Sequence, residues 1–245
     1  SIADADGLGG FNYQWYADGS AISGATSTTY TLTQSEVGSV ITVKISYTDN
    51  YGTAETVTSS ATSAVANVND DPSGSVAISG TTTQGQTLTA SNTLADVDGL
   101  GTISYQWLRD DVAITDATTS TYVLTQDDVG AAIKVTASYT DNGGTDESVT
   151  SSATTTVLNI NDDPSGSVAI SGTTTQGQTL SASNTIADID GLGDISYQWL
   201  RDDVAITDAT NITYKLTQDD VGAAIKVTAS YTDNGGTDES VTSSA

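Results

Sequence analysis

The chain has no cysteine, no histidine and no methionine, only two prolines, and six lysine and arginine residues against 31 aspartate and glutamate. Each absence closes off a class of chemistry. Without cysteine there is neither a disulfide nor a thiolate nucleophile. Without histidine there is no imidazole general base and no zinc site of the Cys/His type. A formal net charge of -25 repels phosphate, which argues against nucleic acid and anionic lipid as partners. No apolar run approaches the roughly 20 residues of a membrane span.

What is abundant is aspartate, with 27 Asp against 4 Glu. Aspartate favours turns, where its short side chain bonds nearby backbone, and it is a hard oxygen ligand for calcium. The excess charge is therefore expected in loops.

The 245 residues are a repeat. Tyr13-Gln14-Trp15 recurs as Tyr105-Gln106-Trp107 and Tyr197-Gln198-Trp199, each step being 92 residues. Asn69-Asp70-Asp71-Pro72 recurs as Asn161-Asp162-Asp163-Pro164 at the same interval. Residues 71–153 and 163–245 differ at seven of 83 positions, among them Leu94/Ile186, Val97/Ile189 and Val123/Lys215. The period exceeds the roughly 20–50 residues of common solenoid repeats and suits a row of small domains. Three are expected: residues 1–70, a first repeat lacking its N-terminal part; 71–162, a complete second repeat; and 163–245, a third lacking its C-terminal part. On this reading the chain is a window from a longer array.

Within the second repeat, Ile133, Val135, Ala137 and Tyr139 alternate with Lys134, Thr136 and Ser138, the signature of a half-buried strand. Ile103, Tyr105 and Trp107 alternate likewise, Tyr122 and Leu124 point inward, and Val123 points out. Val76 with Ile78 and Leu88 with Ala90 mark two earlier strands, and a Thr- and Ser-rich strand is expected from about Glu147 to Ile160. About seven short strands around one central tryptophan give the fold class: all-β, tandem immunoglobulin-like β-sandwich domains in a linear array. Tyr122-x-Leu124-x-x-x-Asp128-x-Gly130 resembles the segment before strand F of immunoglobulin domains, with Val135 or a neighbour filling a position held there by a disulfide.

The motifs Pro72-Ser73-Gly74-Ser75-Val76, Gln84-Gly85-Gln86-Thr87-Leu88, Leu94-Ala95-Asp96-Val97-Asp98-Gly99, Ser104-Tyr105-Gln106-Trp107 and Ser138-Tyr139-Thr140-Asp141 together span each repeat. The set resembles the tandem extender repeats of very large bacterial surface adhesins exported by type I secretion. That resemblance implies secretion to the cell surface, calcium binding and a spacer role in adhesion or biofilm. The linker around Asn69-Asp70-Asp71-Pro72 also resembles the calcium linkers of cadherins, with Asn67 where those have aspartate.

In an immunoglobulin-like sandwich the N-terminal linker lies at the same end as the B–C and F–G loops. At the first joint these supply Asn69, Asp70, Asp71, Asp96, Asp98, Asp141, Asn142 and Asp146 as candidate ligands. At the second they supply Asn161, Asp162, Asp163, Asp188, Asp190, Asp233, Asn234 and Asp238, and Asp4, Asp6 and Asp49 are their counterparts in the first repeat. Glu36 from the preceding E–F loop is expected to join the first joint, and Asp127 and Asp128 the second. Carboxylates about 4 Å apart repel by about 1 kcal/mol in water and several times that near a protein surface, so a cation is the simplest compensation. About two or three Ca2+ ions per joint follow from usual ligand counts.

Simpler readings compete. Asp-x-Asp-Gly is also a plain turn motif, the Asp110-Asp111 and Asp202-Asp203 pairs suit a C–C′ turn, and Asp116 and Asp208 suit solvated loops. The tryptophans could stack sugars but suit the core, and Asn211-Ile212-Thr213 is a glycosylation sequon in spelling only. No enzymatic constellation stands out. The expected partners are neighbouring repeats of the same chain and, in a fibre or matrix, identical chains. The leading expectation is an extracellular calcium-stiffened extender; the alternatives are a filament or surface-layer subunit and a weak multivalent glycan- or protein-binding module.

Overall fold

A computed structural model of the chain describes residues 2–245. Among them no α-helix forms, and all regular structure is strand apart from three 3-10 turns. The first repeat holds β1 (Asn12–Ala17), β2 (Ser20–Ala21), β3 (Ile41–Thr48) and β4 (Ala54–Thr58), in one sheet of order β2-β1-β3-β4. The second holds β5 (Val76–Ser79), β6 (Thr87–Asn92), β7 (Ser104–Arg109), β8 (Val112–Ala113), β9 (Thr121–Val123), β10 (Ile133–Thr140) and β11 (Asp146–Thr150). The third repeats this series as β12 (Val168–Ser171), β13 (Thr179–Asn184), β14 (Ser196–Arg201), β15 (Val204–Ala205), β16 (Thr213–Lys215), β17 (Ile225–Thr232) and β18 (Asp238–Thr242).

The chain resolves into two compact units. One takes in the described residues to Ala77 with Ser91–Gln106 and Val135–Ser151; the other takes in Ile78–Ala90, Trp107–Lys134 and Ser152–Ala245. Each linker therefore lies inside one unit.

The third repeat, wholly inside the second unit, is a two-layer sandwich. Sheet β12-β13-β16 faces sheet β15-β14-β17-β18, and every pairing is antiparallel. Val168, Leu180 and Ala182 from one layer meet Trp199, Val227, Ala229 and Tyr231 from the other in a single buried cluster. Alternation places these side chains inward, as the period-two pattern requires. The indole of Trp199 is fully buried, lies 5.6 Å from the Tyr214 ring and donates to the Asn211 carbonyl at 2.9 Å. Trp107 is equally buried and donates to the Thr119 carbonyl. Both are core residues with satisfied N–H groups, out of reach of a sugar.

In the second repeat Ile133, Val135, Ala137 and Tyr139 are buried on one face of β10, and Val123 is exposed, as the alternation predicts. Asp110 and Asp111 adopt positive φ in the two-residue turn between β7 and β8, the conformation that a tight hairpin demands. The late strand departs from expectation. β11 ends at Thr150 instead of running on to Ile160. The Ser151 hydroxyl accepts the Val135 N–H and the Thr154 hydroxyl accepts the Ile133 N–H, so side chains replace the ladder there. The chain then pairs in parallel, Val157 with Val129 and Leu158 with Thr83.

Each 3-10 turn is closed by a reciprocal cap. Asp128 accepts the Thr125 N–H at 2.7 Å and also bonds Arg109, Tyr122 and the Thr125 hydroxyl. Burial alone would raise its pKa, but these donors, the Thr125 N–H foremost, hold it below the ordinary aspartate range, and Asp220 behaves alike. A carboxylate so depressed stabilises the fold above its unfolded pKa of about 3.9, and the contribution disappears as pH falls through the folded value. Melting temperatures should hold steady from pH 7 to about 5 and fall steeply below about 4. A D128N/D220N variant should be weaker at neutral pH, by about 1–3 kcal/mol per site, and its curve should converge with the parent's in acid. Parallel curves would contradict this assignment.

Candidate metal centre

The B–C loop between β6 and β7 is shaped by its own carboxylates. Asp96 Oδ1 accepts the Asp98 N–H at 2.8 Å, a self-bonded aspartate turn, and Gly99 takes φ +95° to complete it. Asp96 Oδ2 accepts the Tyr139 hydroxyl of β10 at 2.6 Å, tying the loop to the end of that strand. Burial, with the Asp96 carboxylate beside it, pushes the Tyr139 hydroxyl pKa up. Gly101 passes against the Thr140 carbonyl, leaving no room for a Cβ.

Asp98 is buried and both its oxygens are engaged. Oδ2 accepts the linker N–H of Asp70 at 2.7 Å, and Oδ1 accepts Gln34 Nε2 at 2.8 Å from the 3-10 turn of the first repeat. Asp141, at the start of the F–G loop, is also buried. Its Oδ1 accepts the Thr145 N–H at 2.7 Å, whereas its Oδ2 is buried with no hydrogen-bond partner. Asp96, Asp98 and Asp141 each present one oxygen within 4.8 Å of the others'. Asn67 approaches from the linker: a Cβ at Gly143 would lie 2.6 Å from Asn67 Nδ2 and 3.2 Å from Asp141 Oδ1. Asn67 Oδ1 is a second buried oxygen without a partner. The donor set is all hard oxygen, with two of its oxygens lacking a donor, and it could hold a metal ion. Asp96, Asp98, Asp141 and Asn67 are the residues that could hold it.

The second joint repeats the hydrogen-bond pattern inside the second unit, while among the described residues only Asp96, Asp98 and Asp141 bring three carboxylate oxygens within 4.8 Å of one another. Asp190 accepts the Asp162 N–H at 2.7 Å and Gln126 Nε2 at 3.0 Å, and Asp188 accepts the Asp190 N–H at 2.9 Å and the Tyr231 hydroxyl at 2.5 Å. Asp233 Oδ2 and Asn159 Oδ1 are buried and unpaired, as at the first joint. In the first repeat Asp4 accepts the Asp6 N–H and the Tyr47 hydroxyl, and Asp49 accepts the N–H groups of Thr53 and Tyr51.

Not every expected ligand joins the cluster. Asn69 donates to Glu147 and Asn161 to Glu239, while Asp146 and Asp238 accept from the hydroxyls of Thr140 and Thr232. Asp71 and Asp163 are exposed. Asp70 contributes its main-chain N–H, and the Asp162 carboxylate accepts Gln84 Nε2. Asn142 and Asn234 are exposed and lie against Gly99 and Gly191.

The contribution of the preceding repeat differs from expectation. Glu36 and Asp128 close their own caps, and Gln34 and Gln126 reach the joints in their place. The spacing Thr-x-x-Glu/Asp is a capping signal and already points this way: it assigns the acidic residue to the turn. Asn67 holds the linker position that cadherin joints fill with aspartate, and Asn159 repeats it 92 residues on. Comparison of the chain with protein-family models and with curated proteins finds no match.

The repeats themselves indicate which loop glycines are obligatory. Gly9, Gly101 and Gly193 each abut a strand carbonyl, whereas Gly10 has open space and is replaced by Thr102 and Asp194 in the other repeats. Gly101→Ala should destabilise the chain by about 1–3 kcal/mol in urea titrations, and Gly10→Thr should leave the midpoint unchanged. Equal tolerance at both positions would show that the loop does not need this close approach.

Proposed function

We propose that the chain is a set of structural extender repeats from a large secreted or cell-surface bacterial adhesin, with joints stiffened by calcium so that the array projects a distal adhesive part. The observation that carries this reading is the buried, unpaired Oδ2 of Asp141 beside Asp96 and Asp98, matched 92 residues on by Asp233. A buried carboxylate oxygen with no donor costs free energy unless something positive meets it. Carboxylate and amide oxygens in this number suit calcium, which takes about 6–8 oxygen ligands and tolerates irregular geometry. The ion would supply the positive charge that the joint lacks. The chain's own residues do the rest: Asp98 clamps the linker through the Asp70 N–H, and Gln34 ties in the preceding turn.

Further support comes from the near identity of the second and third repeats, which favours a passive, repeated mechanical element over one specialised binding surface. The resemblance of the motif set to adhesin extenders, and of the linker to cadherin joints, points the same way. A chain without cysteine or methionine is also indifferent to an oxidising exterior.

Calcium added to chelator-treated protein should raise the melting temperature, and at 100 times the dissociation constant it should contribute about 2.7 kcal/mol per site. The maximum dimension by small-angle scattering should become better defined at the same time. In a D141N/D233N variant both responses should largely vanish while the calcium-free melt stays near the parent's. Calcium-independent stability and scattering in the parent protein would overturn the proposal.

A further inference from the structure

Two consecutive positions in the F–G loops call for different explanations. The later one is Gly52, Gly144 and Gly236, at φ of +92°, +90° and +92°. A side chain is strained in that region, so the backbone itself requires glycine there. The earlier one is Tyr51, Gly143 and Gly235. Neither Gly143 nor Gly235 lies in the left-handed region, and the first repeat forms the same loop with a tyrosine. The turn therefore does not ask for glycine at this position.

The linker does. A Cβ on Gly143 would stand 2.6 Å from Nδ2 and 3.6 Å from Cγ of Asn67, and one on Gly235 would stand 2.7 Å and 3.7 Å from the same atoms of Asn159. The shorter distance of each pair is well inside van der Waals contact. The amide oxygen of each asparagine is buried, so the group is packed in place and does not hang in solvent. The two linkers, 62–70 and 154–162, differ at Ser63/Thr155, Ala64/Thr156, Ala66/Leu158 and Val68/Ile160, yet both set an asparagine against a glycine.

We infer that Gly143 and Gly235 are linker-selectivity residues. A repeat with glycine at this F–G position accepts an incoming linker that carries asparagine at the Asn67 position. A repeat with tyrosine there is matched to a linker whose residue has no side chain to fit. The partner recognised is the linker of the neighbouring repeat, read by shape, and the clash against a mismatched linker supplies the discrimination. The contact involves no ion, so the inference stands apart from the calcium reading.

The test measures amide hydrogen exchange in the full 245-residue chain with chelator present. The reporter is the Asp70 N–H, which closes the linker onto Asp98, and the Asp162 N–H at the second joint is the internal control. Gly143→Tyr should speed exchange at Asp70 by about tenfold or more, as expected for forcing a side chain into a packed contact, and leave Asp162 unchanged. In an Asn67→Gly background the same tyrosine should have no such effect. Gly143→Ala, which adds only the clashing Cβ, should shift Asp70 in the same direction by a smaller factor, and it decides the matter if the tyrosine variant does not fold. Unchanged exchange at Asp70 would overturn the proposal. Equal acceleration with and without Asn67 would overturn it too, because the tyrosine would then be disturbing the loop and not the linker.

Discussion

The hydrogen bond from the Asp70 amide to the Asp98 carboxylate, repeated between Asp162 and Asp190, sets the geometry on which the joints depend. A charged acceptor makes it short and strong. With its other oxygen Asp98 holds Gln34, so one carboxylate joins linker, B–C loop and preceding turn. Asp96 then fixes the loop to β10 through Tyr139. Once these bonds are made, Asp141 has only the Thr145 N–H, and its second oxygen stays buried without a donor. Asn67 Oδ1 at the first joint, and Asp233 Oδ2, Asn159 Oδ1 and Gln126 Oε1 at the second, are buried without a donor as well.

The segment that closes the first repeat enters the first joint, and its counterpart in the second repeat enters the second. Val65 and Val157 pair with the strand-side backbone of their own repeat, and two residues later Asn67 and Asn159 each hold a buried side-chain oxygen without a donor. Five residues beyond each valine, Asp70 and Asp162 supply the clamping N–H. One short stretch thus supplies both the pairing that closes its own repeat and the N–H that Asp98 or Asp190 accepts.

Much of this was legible in the sequence. The period of 92 residues, the alternation along β10, the inward Trp107 and Trp199 and the convergence of Asp96, Asp98 and Asp141 all follow from residue spacing. They could be read because each rests on a local periodicity or on the chain path of a sandwich. The roles of Gln34 and Gln126 were harder to read, because amides carry no charge and do not stand out in an acidic chain. Glu36 and Asp128 were misplaced because a carboxylate near a joint draws attention to its charge, whereas reciprocal capping within the turn decides its direction. The break after Thr150 escaped detection since Ser151 and Thr154 have strand-compatible sequence, and only their bonds to β10 show that side chains replace the ladder.

The most direct test of the central claim, that the acidic joints are cation sites, is calorimetric titration of calcium into chelator-stripped protein. The account predicts saturable uptake at both joints, accompanied by no comparable response to a monovalent salt at equal ionic strength, and its loss when Asp98 and Asp190 are replaced by alanine. A chain that takes up no calcium above the screening response of its surface charge would contradict it.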